Sequence, residues 1–398
     1  MMTALSSFVE LPEAEQKARG LFFTPREIAQ QPETWGTTLR IFKEHQERIC
    51  GFLDSVGVGD TLEQRPVVML IGAGTSDYIG HALELLLRQK WGCEVSTVAS
   101  TDLLPNFEEY VVPGRRYLWI SFSRSGDSPE GVAVLEQAIQ LYPGVAHFVV
   151  TCNAKARMAE ICKGLKQACV VVLDDAVNDR SLAMTSSFTN MVVMGQCLAN
   201  AWSIEEYTEI VAHLVCAGHD LLWRAAEEAE RLASRGFRRM CFIGSGALTS
   251  VAKESALKVL EMTAGQVQAM SETVLGLRHG PMAALDTQTL LVCFVSGDER
   301  RVKYASDLLR EIGEKGIVGE RVAVGTASVR AEVVPYCDAY VAVDDASGAV
   351  IDDAYWTVVD VIFGQMLGLY CSVAHELKPD SPSPDGVINR VVQKFKIY

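Results

Sequence analysis

An apolar run ending in a glycine turn occurs twice in this chain, and that repeat limits the possible folds more than any other feature. Val67–Gly74 reads VVMLIGAG, and Arg239–Gly246, 172 positions further on, reads RMCFIGSG. Leu118–Asp127 (LWISFSRSGD) is matched by Leu290–Asp298 (LLVCFVSGD), and Val170–Ala176 (VVVLDDA) by Ala339–Ala346 (AYVAVDDA). Three matches in one order at nearly one offset describe a duplicated domain. In the first copy, β-rich runs at Val67–Ile71, Glu94–Val98, Tyr117–Phe122, His147–Cys152 and Val170–Leu173 alternate with stretches of helical length. Such alternation builds a parallel sheet with helices on both faces. Runs as continuous as VVML and HFVV suit strands buried on both sides. The expected fold is α/β, with two tandem doubly wound domains at 51–205 and 222–398 joined by the helical stretch Ile204–Ser234. A helical leader over 1–50 precedes them, and Trp35, Leu39, Phe42, Ile49 and Phe52 fall at helical spacing in and just beyond it.

Open parallel sheets bind ligands beyond the carboxyl ends of their strands, so the loops after the strands carry the chemistry. The first is Gly72-Ala73-Gly74-Thr75-Ser76-Asp77. Its glycines permit close backbone approach, and its hydroxyls stand where a helix begins, a natural anion site. On its own it also reads as a tight strand–helix turn. The dinucleotide pattern fails here, because Asp77 stands where the third glycine belongs. The loop Ser123-Arg124-Ser125-Gly126-Asp127-Ser128 is stronger, with three hydroxyls, an arginine and a glycine at the head of a helix. Helix capping needs one hydroxyl; this set suits a phosphate monoester. The second copy, Val295-Ser296-Gly297-Asp298, has lost two of the serines.

The second copy instead brings a carboxylate and a histidine. Lys258 and Glu261 are three apart on a helical stretch and share a face; Glu272 and Arg278-His279-Gly280-Pro281 follow. On spacing alone, Glu261 reads as an ordinary surface pair and His279 as a loop residue before a proline turn. Together with a phosphate nest they would suffice to move protons on an open-chain sugar phosphate.

A net charge of −14 argues against a nucleic-acid partner. The 11 cysteines include no CxxC pair, fit a reducing cytoplasm, and show no metal-ligand spacing. No cofactor is expected. Nor does the N-terminal stretch read as a signal peptide. Ala354–Ala374 is apolar enough to suggest a membrane span, but Asp360 and Gln365 near its middle favour a buried helix. No membrane partner is expected.

The GAGTS, SRSGDS, ALKVLE and RHGP motifs, in this order, resemble the sugar-isomerase (SIS) family over residues 60–398. They are similar to GTS, SQSGET, ALKLKE and KHGP in the isomerase half of glucosamine-6-phosphate synthase. AMTSSFT (Ala183–Thr189), RHGPM and the ending INRVVQKFKIY look like the AgaS branch. The resemblance implies a phosphate held by Thr75, Ser76, Ser123, Arg124, Ser125 and Ser128. It implies proton transfer by Glu261, ring opening by His279, a site lysine at Lys258, and further substrate contacts from Thr185, Ser186 and Arg390. Arg390 replaces a lysine of the synthase and Arg124 a glutamine, and the 18-residue step from Glu261 to His279 is two longer. With no ammonia-supplying domain in the sequence, the implied reaction converts D-galactosamine 6-phosphate to D-tagatose 6-phosphate and ammonia. Aldose–ketose isomerisation of hexose 6-phosphates, glucosamine-6-phosphate deamination and non-catalytic sugar-phosphate sensing are the alternatives. The family further implies at least a homodimer with composite sites.

Overall fold

The computed structural model describes residues 4–344, 350–383, 385–393 and 395–398. Asp345 and Ala346, which close the third repeat match, lie outside the described residues. The chain forms two five-stranded sheets in which every pairing is parallel.

The first sheet contains β1 (Val67–Gly72), β2 (Val95–Ala99), β3 (Tyr117–Ser123), β4 (Ala146–Thr151) and β5 (Ala168–Val172), in the order β2-β1-β3-β4-β5. The second contains β6 (Arg239–Gly244), β7 (Gln268–Thr273), β8 (Thr289–Phe294), β9 (Glu320–Gly325) and β10 (Ala339–Ala342). Its order, β10-β9-β8-β6-β7, is the same topology read from the other edge. In both, the order reverses beside the first strand, which directs ligands to the loops after the first and third strands. The central strands β1, β3 and β4 are buried at every position, as their unbroken apolar runs require.

Two compact units result, and neither is continuous in sequence. The β1–β5 unit comprises residues 33–179, 186–211 and 388–398. Here Trp35 of the helix Gln31–Val56 donates from Nε1 to Thr189 Oγ1 at 3.0 Å. The β6–β10 unit comprises residues 1–32, 180–185 and 212–387. Its N-terminal residues are tied down by the Asp380 carboxylate, which accepts from the backbone N–H of Phe22 at 2.8 Å and of Thr24 at 2.7 Å.

The apolar helix Asp353–Ala374 is buried almost throughout in the β6–β10 unit. It approaches the helix Leu248–Met262 closely because Gly364 and Gly368 face it. A Cβ at Gly364 would lie 2.4 Å from Ser255 Cβ, and one at Gly368 would lie 3.0 Å from the Lys258 carbonyl oxygen. These glycines share one helical face, four residues apart, and let the two helices seal what lies between them.

Candidate active site

In the β1–β5 unit, β1 runs into the helix Thr75–Trp91 through a turn that only glycine fits at Gly72, where a Cβ would lie 2.3 Å from the Ser76 carbonyl. Thr75 and Ser76 are buried in the first turn of that helix. Its cap position, Gly74, supplies no side chain.

After β3 the chain makes a tight loop. Gly126 has φ +63°, and a Cβ there would lie 2.4 Å from Ala156 Cβ. Ser123 Oγ accepts from the Gly126 N–H at 3.0 Å, and Ser125 Oγ accepts from the Asp127 N–H at 3.2 Å. Both hydroxyl protons can still be donated outward. Asn153 fixes the loop from outside, donating to the Ser125 carbonyl at 2.9 Å and to Asp127 Oδ2 at 3.2 Å. Ser128 stands at the N-cap of the helix Pro129–Leu141 but makes no capping bond through its side chain, so helix capping does not account for this serine.

Arg124 is buried, and its guanidinium donates to the Arg390 carbonyl. Arg390 in turn donates from Nε to the Asp179 carbonyl at 2.6 Å and from Nη2 to Asn178 Oδ1 at 2.7 Å. These bonds attach the chain's end to the β1–β5 unit. The Asp179 carboxylate caps the helix Ser186–Ala199, accepting from the N–H of Ser186 at 3.1 Å and of Ser187 at 2.8 Å. Thr185, just before that helix, is fully buried. Sequence reasoning passed over Asp179, although an acid seven residues before a serine-rich helix start is the one signal that could have marked it.

In the β6–β10 unit, the helix Leu248–Met262 carries Lys258 and Glu261 together, with Lys258 Nζ 2.6 Å from Glu261 Oε2. Glu254, one turn earlier, completes a clamp at 3.2 Å from the same nitrogen. Lys258 and Glu254 have no exposed side-chain surface, whereas Glu261 keeps 23% of its own. Burial works against the charge on Lys258, but the two carboxylates outweigh it and hold the ammonium above its usual pKa range. The result is one partly open carboxylate fixed by a buried cation.

His279 makes no hydrogen bond or ion pair with this clamp among the described residues. It follows the 3₁₀ turn Gly276–Arg278 and is exposed, and its imidazole has no hydrogen-bond partner among the described residues. Arg278 anchors the loop to the helix Glu299–Lys315, pairing with Glu311 at 2.7 Å and Asp307 at 3.0 Å. Gly280, at φ +122°, then turns the chain into Pro281.

If the Ser123 loop binds phosphate, removing its hydroxyls should weaken binding selectively. Each lost bond to a charged acceptor costs about 1.5–3 kcal/mol. Ser123→Ala and Ser125→Ala should each raise KM for a sugar phosphate roughly 10–100-fold without changing the melting temperature comparably. An unchanged KM in steady-state assays would remove the loop from the site.

No protein-family model matches the chain. The AgaS protein of Streptomyces coelicolor is 36% identical to it, the match covering 94% of this chain and 95% of that protein. The D-galactosamine-6-phosphate deaminase AgaS of Escherichia coli O157:H7 is 32% identical over 94% of this chain and 95% of its own length. Among solved structures, the tagatose-6-phosphate ketose/aldose isomerase of Escherichia coli superposes with a TM-score of 0.82 at 30% identity, covering 92% of this chain and 95% of that one.

Proposed function

Since the chain belongs to the AgaS family of SIS proteins, we propose that it is an enzyme that deaminates D-galactosamine 6-phosphate to D-tagatose 6-phosphate and ammonia. The observation that carries this reading is the near full-length relationship to proteins named for that activity. The Lys258–Glu261 pair supplies chemistry to match.

The proposed sequence begins with ring opening assisted by His279. The Glu261 carboxylate removes the proton from C2 of the open-chain aldehyde; the C2–H electron pair forms a C1=C2 double bond while the C1 carbonyl π pair moves to its oxygen, which takes a proton from solvent, to give an enolamine. Returning the proton to C1 leaves an imine at C2, which water hydrolyses to the ketone and ammonia. A single carboxylate serves both carbons because both transfers occur on one face of a planar intermediate. Lys258 holds that carboxylate in place through its 2.6 Å ion pair. Thr75, Ser76, Ser123, Arg124, Ser125 and Ser128 hold the phosphate, with Thr185, Ser186 and Arg390 as further contacts. The active species is at least a homodimer, and the enzyme works in the cytoplasm.

A second reading is favoured by the name of the Escherichia coli structure, a ketose/aldose isomerase. The same proton shuttle on a 2-hydroxy sugar would be isomerisation without ammonia loss. Ammonia release should therefore be measured with galactosamine 6-phosphate, glucosamine 6-phosphate and their N-acetyl forms, beside interconversion of neutral hexose 6-phosphates. Deamination predicts stoichiometric ammonia and tagatose 6-phosphate from the first substrate. Isomerisation without any ammonia would overturn it. Sedimentation of the active fraction tests the dimer, and full activity in a monomer would refute it.

A further inference from the structure

We infer that Asp353 serves the β6–β10 unit as an internal anion, filling the nest after β8 with its own carboxylate and closing it to phosphate. The loop Val295–Asp298 repeats the local build of the Ser123 loop. The Asp298 N–H donates to Ser296 Oγ at 3.1 Å, as the Asp127 N–H does to Ser125 Oγ at 3.2 Å. A helix follows each loop. In the β6–β10 unit, however, a side chain already sits on the nest. Asp353 Oδ1 accepts from the Gly297 N–H at 2.9 Å, Oδ2 accepts from Ser296 Oγ, and Arg301 Nη1 lies 3.0 Å from Oδ2. An amide, a hydroxyl and a guanidinium converging on one anion are the donors a phosphate monoester would use.

Two further acids stand near. Asp344 accepts from the Ala327 N–H at 2.6 Å in the loop after β9. Asp360 lies seven residues, two turns, beyond Asp353 on the same helix and is fully buried. Burial, with Asp353 and Asp344 as neighbouring charges, pushes its carboxyl well above the usual range. The region is thus crowded with acidic side chains, and a phosphate dianion would have to displace Asp353 from the nest. The β1–β5 unit differs at the corresponding helix start, where Thr185-Ser186 stand in place of Asp352-Asp353. The helix itself begins with hydroxyl side chains in the copy proposed to take phosphate and with acidic side chains in the other. Helix initiation does not require Asp353, because Asp352 is the cap and accepts from the Ala354 N–H at 2.9 Å.

The inference deepens the phosphate assignment and rests on it only in explaining why one nest of two would be used. Asp353→Ala should open a second nest. Equilibrium dialysis with labelled inorganic phosphate should count one more phosphate per protomer than the wild type, and that gain should vanish in D353A/R301A. The gain is read against the wild type, so a Ser123 loop that binds nothing would appear as zero in the wild type and leave the increment intact. An unchanged count in folded D353A overturns the inference. If D353A does not fold, D353S removes the charge but keeps a hydroxyl acceptor beside Gly297. Phosphate should then raise its melting temperature more than that of the wild type, and an equal rise overturns the inference.

Discussion

Replacing Glu261 with glutamine is expected to lower kcat by about 10²–10⁴-fold while leaving KM for the sugar phosphate nearly unchanged. Glutamine keeps the shape and an oxygen that can still accept from Lys258, so the fold should be preserved. It cannot take a proton from carbon. The buried ammonium retains its other partner, Glu254 at 3.2 Å, so little stability should be lost. A surface glutamate of purely structural value would behave in the opposite way, with a small stability change and normal turnover. The second readout is isotopic. If one base carries the proton from C2 to C1, the reaction in D₂O should leave part of the original hydrogen at C1 of the ketose. Wild-type kcat in Glu261→Gln would refute the assignment of the base.

Lys258→Met should be the most destabilising single change in the β6–β10 unit. Lys258 has no exposed side-chain surface and lies between Glu254 and Glu261 at 3.2 and 2.6 Å. Methionine roughly keeps the volume, so the cost comes from electrostatics. Glu254, itself fully buried, would lose its counter-charge, and breaking a buried pair this way costs about 3–5 kcal/mol. Urea unfolding should show a lower midpoint at unchanged slope. The double variant Lys258→Met with Glu254→Gln should recover part of the loss, since no uncompensated charge then remains at the fully buried end of the clamp. A single variant as stable as the wild type would show that the clamp is not what holds this helix face together. Activity should fall as well, because Glu261 loses the group that orients it.

The sheets were legible because buried parallel strands leave unbroken apolar runs. The five strands expected in the first copy agree with β1 to β5 to within two residues at each end. β7 was not legible. Its sequence, QAMSET, has no such run and is largely half-exposed, because it is an edge strand paired only with β6; tertiary pairing rather than propensity makes it a strand. The loop residues of the candidate site were legible as motifs, but the electrostatics around them were not. A glutamate at position 254 reads as part of a solvated helix face, whereas in the fold it is fully buried. Asp353 was missed for the same reason, since its partners Ser296 and Gly297 lie 57 and 56 residues away.

The interrupted course of the chain also bears on how this protein can change over evolutionary time. It passes between the two units at 32/33, 179/180, 185/186, 211/212 and 387/388. Contiguous domains can be excised, shuffled or fused by a single recombination event, whereas here any single breakpoint leaves one sheet without segments that complete its unit. The duplicated halves are therefore inherited as one object, although each repeats the other's topology. Loss or replacement of a half is closed to them, and divergence has to proceed by substitution inside a fixed frame. The exchange of a threonine–serine pair for paired aspartates at the start of corresponding helices is a change of that kind.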